Sequence, residues 1–169
     1  MISKKMTEAL NDQINAELYS AYLYFAMSSY AANKGLDGIA SWMAVQAKEE
    51  MTHAEKLYHY VNSQGEHVIL GAIEQPPSEF ESARHIFVET LEHEREVTRL
   101  INQLVDLAAS ESDHATHNFL QWFVAEQVEE EETASTILSK FELAGDHVGA
   151  LFMLDSQLGA RSFTPPAEE

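Results

Sequence analysis

The 169 residues include no cysteine. Disulfides, thiolate zinc sites and iron–sulfur clusters are therefore excluded, and any metal must be held by oxygen and nitrogen ligands. Basic residues are scarce: 10 Lys and Arg stand against 28 Asp and Glu, a formal net charge of -18. A chain of that sign repels nucleic acid and anionic membranes and attracts dissolved cations. No apolar run approaches the roughly 20 residues of a membrane span, and "MISKKMTEALNDQ" at the N-terminus contains none long enough for a signal peptide. The expectation is a soluble, cytoplasmic protein with no nucleic-acid and no membrane partner. Glycine and proline are few as well, 7 and 4, and they gather at 33–38, 63–78, 143–149 and 159–169. Long uninterrupted segments are left between them.

Those segments carry helical periodicity. Met6, Leu10, Ile14, Glu17, Ala21, Tyr24 and Ser28 share one stripe of the first; Ile39, Met43, Gln46, Glu50, His53, Leu57 and Tyr60 share one of the second. A third helix is expected from about Ser78 to Ala109, with Phe87, Leu91, Glu94, Val97, Ile101 and Leu104 in line. A fourth, starting at Ser112 or Asp113 as N-cap, aligns Phe119, Phe123, Gln127, Glu130, Ala134, Ile137 and Phe141. Short links join the first helix to the second and the third to the fourth, which makes antiparallel hairpins. The longer link between the second and third, ending in Pro76-Pro77, is long enough to run the length of a bundle, so the middle pair is expected to be parallel. After Gly145, a short fifth helix presents Val148, Leu151, Phe152, Leu154 and Leu158 on one side. Four helices already close a core, so this fifth apolar face calls for a neighbouring subunit. The fold class is all-α: a single domain spanning 1–169, with a four-helix bundle over about 4–144, a long crossover, a fifth helix over about 147–160 and a tail at 161–169.

Each long helix interrupts its apolar stripe with a carboxylate near its midpoint: Glu17, Glu50 with His53 three residues on, Glu94 and Glu130. The run Glu129-Glu130-Glu131-Glu132 sweeps most of a helix circumference at about 100° per residue, so at least one of its members must face inward. Stripe matching selects Glu130, with Glu126 and Glu129 beside it and Glu49 beside Glu50. Carboxylates packed together without Arg or Lys are penalised by desolvation and by mutual repulsion, which only protons or cations relieve. Ligands of this type suit divalent iron, manganese or zinc, and a shared glutamate would make the site dinuclear. The general template is a Glu from each of two helices with Glu-x-x-His from the others. Glu50-Met51-Thr52-His53 supplies one such motif, while Gln127-Val128-Glu129-Glu130 stands where a second would be. Tyr24, two turns beyond Glu17, is placed to hydrogen-bond a ligand, to supply an electron or simply to pack. The remaining histidines, His93 among them, read as surface or capping residues.

Over essentially its whole length the chain resembles the prokaryotic non-haem ferritins, on the segments "LNDQINAELYSAYLYFAM", "KEEMTHAEKL", "HERE", "NFLQWFVAEQVEEE" and "LFMLD". The resemblance implies a ferritin-like fold and a shell of twenty-four copies of the chain, with the fifth helix at the four-fold axes. It also implies iron storage with ferroxidase activity: Fe(II) is oxidised to Fe(III) by O2 or H2O2 and kept as ferric oxyhydroxide. By the same resemblance Glu17, Glu50 and His53 match the ligands of a first iron, and Glu50, Glu94 and Glu130 those of a second. Glu49, Glu126, Glu129 and Glu130 match a third, weaker position. Gln127 and Tyr24 match neighbouring residues of the catalytic centre. Bacterioferritins have a second Glu-x-x-His where Gln127 and Glu130 stand, so a centre that passes iron onward is expected rather than a resident di-iron cofactor. Met51 takes the position of the bacterioferritin haem methionine, but no haem is expected. His117 and Leu120 stand where animal ferritins line their three-fold channel with acidic residues.

Two other classes compete. A di-iron redox enzyme of the rubrerythrin kind is disfavoured by the absence of cysteine, and a DNA-shielding mini-ferritin by the fifth helix and the negative charge. A small oligomer with no internal cavity would favour the first, retention of DNA on a gel at physiological salt would revive the second, and a helical bundle that binds no metal is the remaining alternative.

Overall fold

The computed structural model describes residues 2–164. Five helices make it up: α1 (Lys4–Asn33), α2 (Asp37–Ser63), α3 (Ala83–Ser110), α4 (His114–Ala144) and α5 (Val148–Leu158). The expected 161–169 tail falls partly outside the described residues, since 165–169 do.

Local chemistry sets the helix ends. Ser3 accepts from the Met6 amide at 3.0 Å, Ser82 from His85 at 3.1 Å, and Asp113 from Thr116 at 3.0 Å, each satisfying an N–H that has no partner inside its helix. Leu36, at the start of α2, has no side chain that can do this. The cap comes from α5 instead: the Asp155 carboxylate accepts from the Gly38 and Ile39 amides at 3.1 and 2.8 Å. The contact is so close that a Cβ on Gly38 would meet the Asp155 carbonyl at 1.8 Å. Glycine is the one residue that fits.

The third helix begins at Ala83 rather than near Ser78. Pro76-Pro77 does not start it; 78–82 stays outside the helix, Phe80 turns inward against the Tyr30 ring at 5.3 Å, and Ser82 is the cap. Before that point the crossover follows α1: the Ile69 amide donates to Asn11 and Asn15 donates to the Ala72 carbonyl, both at 3.3 Å. From Asn11 to Tyr30 is about 28 Å along a helix, so the link runs most of the bundle's length and makes α2 and α3 parallel.

The core lies in two apolar halves. One gathers Met27, Ile39, Trp42, Met43, Phe87 and Phe141, the other Leu10, Ile14, Leu57, Ile101, Leu120 and Phe123. Between them all four long helices contribute buried polar side chains. On α5, Leu154 and Leu158 are buried against the first half, whereas Val148 and Phe152, expected on the same face, point outward with Met153. Asp155 docked on α2 fixes which side of α5 faces the bundle.

Candidate metal centre

The polar layer consists of Glu17 from α1, Gln46, Glu50 and His53 from α2, Glu94 from α3, and Gln127 and Glu130 from α4. Buried apolar residues three or four positions away, Ile14 and Ala21 beside Glu17, Ala47 and Ala54 beside Glu50, Val97 beside Glu94 and Ala134 beside Glu130, turn the same helix faces inward, so the packing that holds each helix also aims its carboxylate. Glu17, Glu50 and Glu94 are 1–2% exposed and Glu130 9%.

Glu17, Glu50 and His53 converge until one ligand atom from each lies within 4.8 Å of the others. His53 Nδ1 is 3.2 Å from Glu50 Oε2. Gln46 Nε2 ties Glu50 to Glu130, donating to Glu50 Oε1 at 3.2 Å and Glu130 Oε2 at 2.8 Å. Gln127 Nε2 donates to Glu94 Oε2 at 3.2 Å, and the Tyr24 hydroxyl donates to the other Glu94 oxygen. Gln13 donates to Glu17 Oε1 at 2.9 Å, which leaves Glu17 Oε2 buried with no partner. Among the described residues, then, the four glutamates are met by three amides, a phenol and an imidazole, and by no lysine or arginine.

That composition sets the electrostatics. Burial pushes Glu17, Glu50, Glu94 and Glu130 up to about 8 from 4.5, and repulsion links them: Glu50 raises Glu17 and Glu94, Glu130 raises Glu50, and Glu94 raises Glu130. The Tyr24 phenol is raised well above its usual value by burial and by Glu94. Such a layer takes up either protons or cations, and the unpartnered Glu17 oxygen beside Glu50 and His53 is an open ligand position of the hard O and N type that suits iron.

Glu49, Glu126 and Glu129 lie outside this layer, lining with Glu130 and His53 a cleft of about 370 Å³. Burial raises Glu49 and Glu126 above the ordinary carboxylate range. The sequence-derived residues thus fall into an inner set of five and an outer set that shares Glu130.

Three participants escaped the sequence reading. Gln13 and Gln46 each precede a layer glutamate by four residues, and the repeated Gln-x-x-x-Glu spacing was the available signal. Arg161 reaches the cleft from beyond α5, a contact no local pattern encodes. His93 corrects the surface assignment: its Nε2 lies 2.7 Å from Ser20 Oγ, and its ring packs on Tyr19 and Tyr24 at 5.8 and 5.9 Å. Burial lowers it to about 4.

Comparison with known proteins gives the family and agrees with the fold. Residues 7–144 match the family model described as a ferritin-like domain. The bacterial non-heme ferritin of Staphylococcus epidermidis is 42% identical over 163 residues, covering 96% of this chain and 98% of that protein. A probable bacterial non-heme ferritin-like protein of Haemophilus influenzae is 42% identical over 159 residues, covering 94% and 96%. Among solved structures, the open pore ferritin of the archaeon Archaeoglobus fulgidus superposes with a TM-score of 0.95 at 51% identity, over 96% of this chain and all of that one. A closed form of the same ferritin, engineered by mutagenesis, gives 0.96 at 52% over 97% and 100%.

Proposed function

The chain belongs to the ferritin family, and from that premise we propose that it oxidises Fe(II) at the layered carboxylate centre and stores the ferric product inside a shell built from twenty-four copies of itself. The observation that carries this reading is the layer itself: four buried glutamates from four helices with, among the described residues, no lysine or arginine partner, one of them with an unsatisfied oxygen. Glu17, Glu50 and His53 would receive one iron, and Glu50, Glu94 and Glu130 a second, with Glu50 shared.

Iron is the substrate here. Two Fe(II) ions each give one electron to O2 or H2O2, and the chain's part is to make that transfer favourable. Carboxylates stabilise Fe(III) more than Fe(II), which lowers the potential of bound iron. Gln46 and Gln127 orient the carboxylates without neutralising them, and the Tyr24 hydroxyl does the same for Glu94. Glu49, Glu126, Glu129 and Glu130 form the outer position, on the way from the centre to the storage cavity. The acidic excess raises the local concentration of Fe(II) around the chain. Among the described residues no helix is long and apolar enough to cross a membrane.

The test joins mass with chemistry. Light scattering of the metal-free protein should give a twenty-four-subunit particle. Aerobic Fe(II) should then be oxidised rapidly up to about two irons per subunit and accumulate well beyond that in soluble form. Glu130→Ala should slow the rapid phase without dissolving the particle; unchanged kinetics would remove Glu130 from the site. A small oligomer that stops at two irons would identify a di-iron redox enzyme and end the storage reading.

A further inference from the structure

Beyond Leu158, the last residue of α5, the chain doubles back over the mouth of the centre, where Arg161 helps line the cleft. The Arg161 guanidinium lies 4.3 Å from the centroid of the Trp42 ring, donates Nη1 to Gln46 Oε1 at 2.7 Å, and donates Nη2 to Glu49 Oε2. Both bonds bear on the carboxylates. With its oxygen occupied by Arg161, the Gln46 amide turns its nitrogen inward, where it serves Glu50 and Glu130. Glu49 belongs to the outer set. A planar fork of donors can hold both partners at once, as a lysine cannot. The Arg161 and Glu49 side chains are 24% and 23% exposed, so the pair is partly desolvated yet still open to the cleft.

We propose that Arg161 is a positioning residue that acts as a built-in counter-ion for the outer carboxylates, and that a metal ion reaching the outer position must displace it. The proposal rests on Glu49, Glu126, Glu129 and Glu130 forming an outer metal position. The guanidinium holds Glu49 Oε2, one of the two oxygens Glu49 can offer a metal, and a second cation placed beside the fork is repelled by it. The outer position therefore fills in competition with Arg161, while the inner ligands, which Arg161 does not touch, fill without it. Iron leaving the centre exchanges with a guanidinium rather than dropping onto free carboxylates.

Zn(II), which has no redox chemistry, separates binding from oxidation. The metal-free assembly is titrated by calorimetry while tryptophan emission is followed, because the guanidinium over Trp42 makes that ring a reporter of displacement. Two tight sites per subunit and one weaker site are expected in the wild type, with emission changing as the weaker site fills. Arg161→Gln should tighten the weaker site about tenfold, the loss of one charge-assisted competitor, and leave the tight pair unchanged. Arg161→Lys keeps the charge and should keep the weaker site weak. An outer affinity that is unchanged or reduced in Arg161→Gln, with the tight pair intact, overturns the proposal, as does emission that ignores the weaker site in the wild type. A wild type without two tight sites would remove the metal-centre reading, and this proposal with it.

Discussion

Raising the pH should destabilise the metal-free protein. Glu17, Glu50, Glu94 and Glu130 are held at about 8 in the fold against 4.5 ordinarily. Between those values the folded chain keeps protons that the unfolded chain has released. The stability that the neutral layer contributes is therefore fully present below 4.5, erodes as pH rises, and is gone above about 8. Each extra proton held by the fold is worth about 1.4 kcal/mol per pH unit. One proton of difference across the layer removes about 4 kcal/mol between pH 5 and 8, a fall of roughly 8–16 °C in Tm for a chain of this size. Scanning calorimetry of the metal-free protein at pH 5, 6, 7 and 8 measures it. Glu50→Gln cannot ionise and takes away a charge that raises Glu17 and Glu94, so its profile should be shallower and its Tm at pH 8 higher than the wild type. Glu74→Gln, on the exposed crossover, controls for general charge repulsion and should follow the wild-type slope. A metal-free Tm that is flat or rises over this range refutes the reasoning, and so does a Glu50→Gln profile indistinguishable from that of Glu74→Gln.

Two more outcomes follow from the same coordinates. Zn(II) binding at pH 7 should expel protons from carboxylates held neutral, about one per metal, with the release fading above pH 9; a pH indicator in weak buffer reads it, and no release at pH 7 would mean that the layer is already ionised. Asp155→Ala removes the side-chain cap that α5 supplies to α2 and should lower stability by about 1–2 kcal/mol while speeding exchange of the Gly38 and Ile39 amides; Asp155→Asn should retain most of the cap, and unchanged exchange in the alanine variant would show that α5 does not hold the start of α2.

The parts legible in the sequence are those written in a local period. Glu17, Glu50, Glu94 and Glu130 could be found because each breaks an otherwise apolar helical stripe, and the parallel middle pair because only one link is long. What stayed hidden depends on contacts between distant segments. Ser78 after Pro76-Pro77 resembles a helix start, but burial of Phe80 on Tyr30 moves the start to Ser82. His93 has polar neighbours in sequence, and only the meeting of α3 with Ser20 and Tyr19 of α1 buries it. On α5 the apolar residues go nearly all round, so their pattern could not show that Leu154 and Leu158 face inward while Phe152 does not; the bond from Asp155 to α2 decides that.

That the layer's four glutamates meet no lysine or arginine among the described residues is the physical link between fold and chemistry. An Arg or Lys beside Glu50 or Glu94 would compensate the buried charge and stabilise the bundle, and it would also occupy the lone pairs a metal needs. Neutral donors avoid this: the Gln13, Gln46 and Gln127 amides and the Tyr24 hydroxyl fix the carboxylates in place while leaving the charge unanswered. The resulting strain is borne by two apolar halves of core, one on each side of the layer, which can hold the helices together whether or not the middle is satisfied. A cation entering the layer replaces its protons, and it answers the same repulsion that keeps the metal-free carboxylates protonated. Basic side chains return only at the outer cleft, where Lys56 lies 4.5 Å from the Trp122 ring centroid and Arg161 engages Glu49. In the proposed function, charge compensation thus begins where iron would be held less tightly, and the step from an uncompensated inner set to a compensated outer one would favour capture at the first and release at the second.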